Sequence, residues 1–290
     1  MIRFGESAGR IRLEGTRNRS PLAIGVALSA AEGKRAELNG ARLRTPEQLR
    51  GETATLVFTP DRLAIVKGGP AARRVYFDRT GARLFAARSS LAASYAAALA
   101  QRNAALRRGR RDAIAPWTKQ VAELGAELVE ARQETLAALG GLFAERAGAL
   151  GLVDARLAYE GDPPTLSALE ALLERDLERG ATGLGPHLDD ISIAAETRDL
   201  RKFGSQGEQR IAVLALLLAE AELIAERRGE LPLLLLDDVL SELDAIRRRV
   251  LVEQVQGRGQ TLITATAAEA LPGEPAQLLR VSPGEVQWSG

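Results

Sequence analysis

The spacing of hydrophobic residues changes twice along this 290-residue chain, and the changes divide it into three parts. Residues 1–86 are predicted to be rich in β-structure, residues 87–182 to be helical, and residues 183–290 to be mixed α/β. In the first part, apolar side chains alternate with small ones over residues 22–28, and a second apolar run follows at Thr55–Phe58. Runs of this kind are typical of strands.

The middle part carries apolar residues at helical spacing. Ser89 or Ser90 is placed to cap its first helix, and a long second helix is predicted over residues 113–150. Thr165, which follows two prolines, is placed to cap one further helix that reaches Arg179.

Four consecutive leucines at residues 233–236 end in the carboxylates Asp237 and Asp238. An apolar run without alternation predicts a strand buried on both faces of a mostly parallel sheet. Open α/β sheets bind ligands at the carboxyl ends of such strands, where two acids can hold Mg²⁺ and activate a water molecule. The alternative is a buried strand followed by a solvated acidic turn.

A turn that contains glycine and serine, residues 203–210, precedes an almost wholly apolar stretch that predicts a core helix. The free N–H groups and the dipole at a helix N-terminus favour a phosphate. Gly204 and Gly207 allow a ligand to approach closely, and the hydroxyl of Ser205 adds a donor. Taken alone, the turn favours an ordinary serine cap. A phosphate turn followed by a helix, a strand and an acid pair is a more specific order.

These motifs carry a resemblance to a known family. Residues 205–209 resemble the signature motif of ABC-type ATPases, residues 233–238 their Walker B strand, and residues 241–244 their D-loop. The wording of residues 185–190 and 203–210 is specifically similar to the RecF family of bacterial recombinational-repair ATPases.

The resemblance implies an α/β fold, namely an ABC-type ATPase head with a mixed sheet, flanking helices and an inserted helical arm domain. Residues 1–86 and 183–290 would form the two parts of the head, and residues 87–182 the arm. The resemblance further implies a DNA-binding ATPase of recombinational repair, replication-fork maintenance and the SOS response. Such a protein acts on single-stranded, gapped or junction DNA and helps RecO and RecR to load recombinase.

The resemblance also implies ATP and Mg²⁺ as cofactors and a homodimer that forms on ATP binding. Asp237 would hold the metal ion, and Asp238 would position the attacking water as the catalytic residue. Ser205, Gln206 and Gly207 of one subunit would contact the ATP of the other subunit.

Three further positions receive roles. Asp244 would communicate across the dimer and is counted with the cofactor-binding residues. Thr264 and Thr266 follow the next apolar strand, where many relatives keep a switch histidine, and Thr266 is also counted as cofactor-binding. His187, the sole histidine, is interpreted as a structural hydrogen-bonding residue, with catalysis as the alternative.

One family motif is missing from the sequence. RecF proteins carry a Walker A loop, G-x-x-x-x-G-K-[ST], and none of the lysines here stands in such a loop. We therefore expect that a segment upstream of Met1 is absent and that these residues alone bind ATP poorly. Whether the chain itself is an ATPase stays open, because the alternative is a truncated, non-hydrolysing fragment that keeps the fold and the partner surfaces. The long helical insertion argues against a rival, an ABC transporter subunit.

Composition refines this picture only slightly. With 39 Lys plus Arg against 38 Asp plus Glu, overall charge gives no nucleic-acid signal. Two arginine clusters are nevertheless candidates for DNA phosphate contacts, with a solvated surface as the alternative: Arg73, Arg74, Arg107, Arg108, Arg110 and Arg111. The absence of cysteine, of a recognisable signal peptide and of a membrane-spanning stretch leads us to expect a cytoplasmic protein.

Overall fold

Strands dominate both ends of the chain and helices its middle. The computed structural model describes residues 2–17, 19–44, 48–49, 54–241 and 243–289. The strands are β1 (Ala8–Arg17), β2 (Ser20–Ser29), β3 (Gly33–Leu38), β4 (Ala41–Arg42), β5 (Thr55–Phe58), β6 (Ala155–Glu160), β7 (Asp190–Ala195), β8 (Arg198–Asp199), β9 (Leu233–Leu236), β10 (Thr261–Ile263), β11 (Leu278–Ser282) and β12 (Glu285–Ser289).

The helices connect these strands. They are α1 (Ala64–Lys67), α2 (Pro70–Leu84), α3 (Leu91–Arg107), α4 (Arg111–Ala149), α5 (Leu166–Ala171), α6 (Leu173–Arg179), α7 (Leu200–Phe203), α8 (Gln206–Arg228) and α9 (Ala245–Val255), with 3₁₀ turns at Pro60–Leu63, Ala86–Arg88 and Ala268–Ala270. Within the described part of the chain, no helix combines the length and the apolar character that crossing a membrane requires.

The first four strands form an antiparallel meander in the order β1-β2-β3-β4. The predicted alternation over residues 22–28 lies in β2, which pairs with both of its neighbours. Asn39 and Gly40 connect β3 to β4, and both have positive φ, +48° and +82°. A tight hairpin turn of this kind needs positive φ at both central positions, which asparagine and glycine tolerate best.

A second sheet, in the order β10-β9-β5, is parallel throughout. The predicted strand at residues 233–236 is confirmed as β9, the central strand, and Thr55–Phe58 is confirmed as β5. Burial on both faces is not: Leu234 and Leu236 are buried, whereas Leu233 and Leu235 are partly exposed. Leu236 lies opposite Ile263 on one side and Phe58 on the other. The carboxyl ends of the three strands therefore meet at one edge of the sheet.

Helix α8 forms the centre of the largest hydrophobic cluster. Its residues from Ile211 to Ala219 are all buried, as their almost wholly apolar sequence predicts. The cluster also takes in Leu56 of β5, Leu234 of β9 and Phe143 from the C-terminal half of α4. The helix that begins at the serine-containing turn is thus fixed against the strand that ends in the acid pair.

The helical middle of the chain has hydrophobic clusters of its own, built from α3, the N-terminal half of α4, and α5 and α6. A buried ion pair lies among them, since Arg102 Nη1 of α3 is 2.7 Å from Asp176 Oδ2 of α6. Thr118 and Thr182 complete the site with hydroxyls 3.0 and 2.7 Å from the guanidinium of Arg102. The arm therefore has an internal polar link as well as apolar packing.

Three features depart from the sequence prediction. The β-rich character expected over residues 1–86 ends at Phe58, because prolines at the first position of the 3₁₀ turn Pro60–Leu63 and of α2 favour helix starts. The helical middle contains the strand β6, which pairs antiparallel with β7. The helix expected to run from Thr165 to Arg179 breaks at Leu172 into α5 and α6. The extents of the head and arm stay a prediction.

Candidate functional site

The acid pair stands where β9 leaves the parallel sheet. The backbone N–H of Asp237 donates to the carbonyl of Phe58 at 2.9 Å, which extends the β5–β9 ladder by one residue. Asp238 follows with φ of +49°, a left-handed conformation that is uncommon outside glycine. Ser241 Oγ donates to the carbonyl of Asp238 at 3.1 Å and holds this turn. The carboxylate of Asp237 is thereby placed in an exposed position at the sheet edge.

A threonine hydroxyl joins the two acids. Thr264 is the first residue after β10, and its backbone N–H donates to the carbonyl of Leu236 at 3.0 Å. Its Oγ1 donates to Asp237 Oδ1 at 2.6 Å and accepts the backbone N–H of Asp238 at 3.0 Å. Thr266 is exposed two residues further on, and its part in cofactor binding stays a prediction.

The donor set at this edge suits Mg²⁺. Among the described residues no cluster of three or more His, Asp or Glu side chains forms a ready metal site. Mg²⁺ keeps several waters and is typically held by one or two carboxylates together with substrate phosphates. A single exposed carboxylate, Asp237, fits that pattern better than it fits an all-protein metal cage.

Ser205 caps α8 through a capping box. Its Oγ accepts the N–H of Glu208 at 3.2 Å, and Glu208 Oε2 accepts the N–H of Ser205 at 2.7 Å. That backbone hydrogen bond and the neighbouring Arg198 lower the pKa of Glu208. A methyl group at Gly207 would meet only Ser205 Oγ, at 4.0 Å, so the space over the turn is open. The turn is an ordinary serine cap, and its role in binding a phosphate stays a prediction.

Asp244 caps the next helix after the acid pair. Its Oδ1 accepts the backbone N–H of Arg247 at 2.9 Å, and Oδ2 lies 3.1 Å from the guanidinium of the same residue. Arg247 also donates to the carbonyl of Leu150, just after the end of α4, at 3.1 Å. The segment between acid pair and α9 is therefore tied to the long helix that reaches the arm.

Comparisons with known proteins agree on one family. No protein-family model matches the chain. The DNA replication and repair protein RecF of Heliobacterium modesticaldum is 34% identical over 311 residues, which covers 100% of this chain and 84% of that protein. The RecF of Anaeromyxobacter sp. (strain K) is 37% identical over 307 residues, covering 95% of this chain and 79% of that protein. The chain belongs to the RecF family.

Solved structures confirm the fold of this RecF-family chain. A structure of the recombination mediator protein RecF with ATP, from the RecFOR pathway, matches with a TM-score of 0.86 over 99% of this chain and 81% of that chain, at 24% identity. An Smc head bound to the C-terminal winged-helix domain of ScpA matches with a TM-score of 0.52 at 13% identity, over 98% of this chain and 74% of that one. The expected ABC-type ATPase head is therefore the fold of the chain.

The two arginine clusters differ in their surroundings. Arg73 is only 3% exposed, and its Nε and Nη2 each lie 2.7 Å from an oxygen of Asp190. Arg73 is therefore unsuited to the DNA contact expected of it, because its guanidinium is buried and paired with Asp190. Arg74 is half-buried and donates to the carbonyl of Asp189 at 2.6 Å. Asp190 responds to this pairing: although burial raises its pKa, the Arg73 guanidinium lowers it below the usual value.

The second cluster is exposed at the turn between α3 and α4. Arg107 and Arg108 end α3 at the surface. Arg110 pairs with Asp112 at 2.8 Å, and Arg111 makes a two-pronged contact with Glu174 at 2.6 and 2.7 Å. All four side chains are open to solvent, but the carboxylates of Asp112 and Glu174 partly neutralise the charges of Arg110 and Arg111.

His187 is engaged on both ring nitrogens. Nε2 lies 3.1 Å from the carbonyl of Thr182, which can only accept, so Nε2 carries the hydrogen. Nδ1 then accepts the hydroxyl of Tyr95 at 2.7 Å. Burial lowers the pKa of His187 below 6.5, consistent with a neutral ring. The two bonds support the structural interpretation of this residue, at a point where the arm helix α3 meets residues 185–190.

The same segment is held by the long helix. Arg132 of α4 binds Asp78 of α2 at 2.7 Å and donates to the carbonyl of Pro186 at 2.6 Å. Tyr159 of β6 donates to Asp189 at 2.6 Å, and burial, followed by that carboxylate, raises the pKa of its hydroxyl. These contacts were beyond sequence reasoning because their partners are dozens of residues apart. They fix α4 to the head with buried polar bonds.

Proposed function

We propose that this chain is a RecF-like, DNA-binding ATPase of recombinational repair and replication-fork maintenance, at work in the cytoplasm. The observation that carries the proposal is the acid pair at the end of β9. A parallel strand ends at Asp237 and Asp238, where Thr264 Oγ1 binds the carboxylate of Asp237 and the backbone N–H of Asp238. A solvated acidic turn would not need such a clamp.

Each acid has a distinct task in the proposed site. Asp237 is the carboxylate that would hold Mg²⁺, because it is exposed and lies beyond the last residue of β9. Asp238 would accept a hydrogen bond from the attacking water and orient it. When bound, MgATP supplies the phosphoryl group that is transferred to water. The protein contributes position and charge to that transfer.

The serine turn completes the site in a second copy of the chain. The open space over Gly207 and the free hydrogen of Ser205 suit a phosphate oxygen, and Gln206 lies beside them at the start of α8. We propose that this turn binds the ATP held by the partner subunit. The solved RecF structures with ATP and with an ATP analogue support nucleotide binding itself. ATP would then join two subunits, and hydrolysis would release them.

Asp244 is the residue that would relay closure of the dimer. It caps α9 and pairs with Arg247, which reaches the end of α4. A displacement of the D-loop by a partner subunit would therefore be felt by the long helix.

DNA contact would fall on the exposed turn between α3 and α4. Arg107 and Arg108 are the strongest candidates, with Arg110 and Arg111 beside them and Arg74 at a distance. Contacts to phosphates carry no base sequence, so binding to gapped or single-stranded DNA would weaken steeply with salt. The partners of the proposed complex are RecR and RecO, in keeping with the RecFOR pathway of the matched structures.

A second candidate function follows from the sequence itself. None of the lysines Lys34, Lys67, Lys119 and Lys202 stands in a G-x-x-x-x-G-K-[ST] loop. The loop supplies the N–H groups and the lysine that cradle the β- and γ-phosphates. The chain would then be a non-hydrolysing RecF-like protein that keeps the fold and its DNA and RecR surfaces.

One set of measurements tests both candidates. MgATP is titrated calorimetrically onto the chain and onto Asp237→Asn, and the oligomeric state is followed by sedimentation with and without MgATP. The ATPase proposal requires micromolar binding, a nucleotide-dependent dimer and the loss of metal dependence in Asp237→Asn. Binding of gapped DNA and of RecR is titrated on the same chain. Retention of both without ATP binding establishes the second candidate. Loss of DNA and RecR binding as well as ATP binding overturns both.

A further inference from the structure

The hydroxyl of Thr264 bridges the carboxylate of Asp237 and the backbone of Asp238. It carries one hydrogen, which goes to Asp237 Oδ1 at 2.6 Å, and it offers a lone pair to the N–H of Asp238 at 3.0 Å. The contact depends on the parallel pairing of β9 with β10, which brings Ile263 beside Leu236. Both acids thus share one hydroxyl that comes from a different strand.

The hydrogen bond from the N–H of Asp238 to Thr264 holds an uncommon backbone conformation. With φ of +49°, Asp238 adopts a left-handed conformation that residues with a side chain visit only occasionally, although aspartate tolerates it better than most. Thr264 binds the N–H of this residue, and Ser241 binds its carbonyl at 3.1 Å. The direction in which the Asp238 carboxylate leaves the backbone therefore depends on these two hydroxyls.

We propose that Thr264 is a positioning residue for the acid pair. Its hydroxyl fixes Oδ1 of Asp237, so that Oδ2 is the oxygen directed to a metal ion, and it fixes the turn that carries Asp238. Thr264 is itself exposed, so the clamp lies at the surface that a metal ion and phosphates would approach. The inference rests on the proposed nucleotide site, which it deepens by adding a residue from β10.

Three variants isolate the hydroxyl. Thr264→Val keeps the shape of the side chain and removes the hydroxyl, whereas Thr264→Ser keeps the hydroxyl. Thr16→Val is the matched control, because it makes the same change at an exposed position of β1, outside the proposed site. Circular dichroism and urea unfolding establish that each variant is folded before it is compared.

The first readout needs no nucleotide. In a chain labelled at aspartate, the side-chain carboxyl ¹³C resonance of Asp237 is expected to move in Thr264→Val and to return in Thr264→Ser. Hydrogen exchange of the Asp238 amide is expected to accelerate about tenfold in Thr264→Val, because one hydrogen bond is lost. Thr16→Val should leave both signals unchanged. Identical Asp237 resonances and Asp238 exchange in the parent chain and Thr264→Val overturn the proposal.

The second readout probes the metal with Mn²⁺ alone. Paramagnetic broadening of the Asp237 resonance should need a several-fold higher Mn²⁺ concentration in Thr264→Val than in the parent chain or in Thr264→Ser. An equal Mn²⁺ response in all variants overturns the link to the metal ion. Absence of broadening in the parent chain overturns the proposed metal site instead, and the positioning role is then decided by the nucleotide-free signals.

Discussion

The buried ion pair between α3 and α6 offers the sharpest test of what holds the arm together. Arg102 is 0% and Asp176 is 1% exposed at the side chain, and they lie 2.7 Å apart. In Arg102→Leu, Asp176 keeps only its contact with the N–H of Gly183, at 3.0 Å, among those described, and its charge stays buried. Removing one partner of a buried pair costs about 3–5 kcal/mol.

The surroundings of Arg102 narrow the expected loss in the free energy of unfolding. The guanidinium nitrogen Nη2 of Arg102 is buried without a hydrogen-bond acceptor among the described residues, so the native pair already carries a desolvation cost. We therefore expect a loss near the lower limit, about 3 kcal/mol, in the free energy of unfolding. With a urea dependence of about 2–3 kcal/mol per molar, the unfolding midpoint falls by roughly 1 M or more.

Arg111→Leu is the matched control, because Arg111 binds Glu174 of the same helix α6 at the surface. Water screens that exposed pair, so the urea midpoint should stay within experimental scatter. The double variant Arg102→Leu, Asp176→Leu should recover part of the lost stability, since it removes the stranded charge. Equal midpoints for Arg102→Leu and Arg111→Leu, or a double variant less stable than Arg102→Leu, would refute the reasoning.

Other predictions concern His187, Gly185 and the cap of α8. Because burial lowers the pKa of His187 below 6.5, stability is complete above pH 6.5 and falls as the pH drops below it, by at most about 1.4 kcal/mol per pH unit. NMR titration of this sole histidine should give a pKa below 6.5. In His187→Gln, the free energy of unfolding in urea should depend less on pH below 6.5. Gly185→Ala should melt well below Gly33→Ala, because both have positive φ but only Gly185 would place a methyl 2.7 Å from the Tyr95 hydroxyl; equal melting temperatures contradict this. Ser205→Ala should lose about 1 kcal/mol of stability by thermal unfolding, whereas Ser205→Asp, which can still cap, should lose less.

The sequence predicted those parts of the site whose signal is local. The leucine run predicted the strand β9, which is confirmed, whereas the role of Asp237 and Asp238 at its end stays a prediction. The turn at Ser205 combines a cap residue with the start of an apolar helix, and both were recognisable without knowing what packs against them. Local patterns of this kind survive folding because burial and capping act on neighbouring residues.

Contacts between distant residues were out of reach of such patterns. Thr264 meets the acid pair only because β10 pairs with β9 in one particular register, and nothing in the local sequence distinguishes it from Thr266. Arg73 resembled a surface cation until its partner Asp190 was found 117 residues away. The strand β6 was missed because six residues within a helical region carry little periodic signal. Pairing across the fold, rather than residue type, decides these cases.

The 39-residue helix α4 extends over about 58 Å at 1.5 Å per residue, and a single rod of this length has mechanical consequences. It contributes Ile114, Val121 and Phe143 to three separate hydrophobic clusters. Arg132, near its middle, forms an ion pair with Asp78 of α2. Inserting one residue between those clusters rotates the rest of the helix by about 100°, so the apolar side chains beyond the insertion no longer face their cluster. Torque applied at the N-terminal end of α4 is accordingly transmitted to its C-terminal half, which packs against α8.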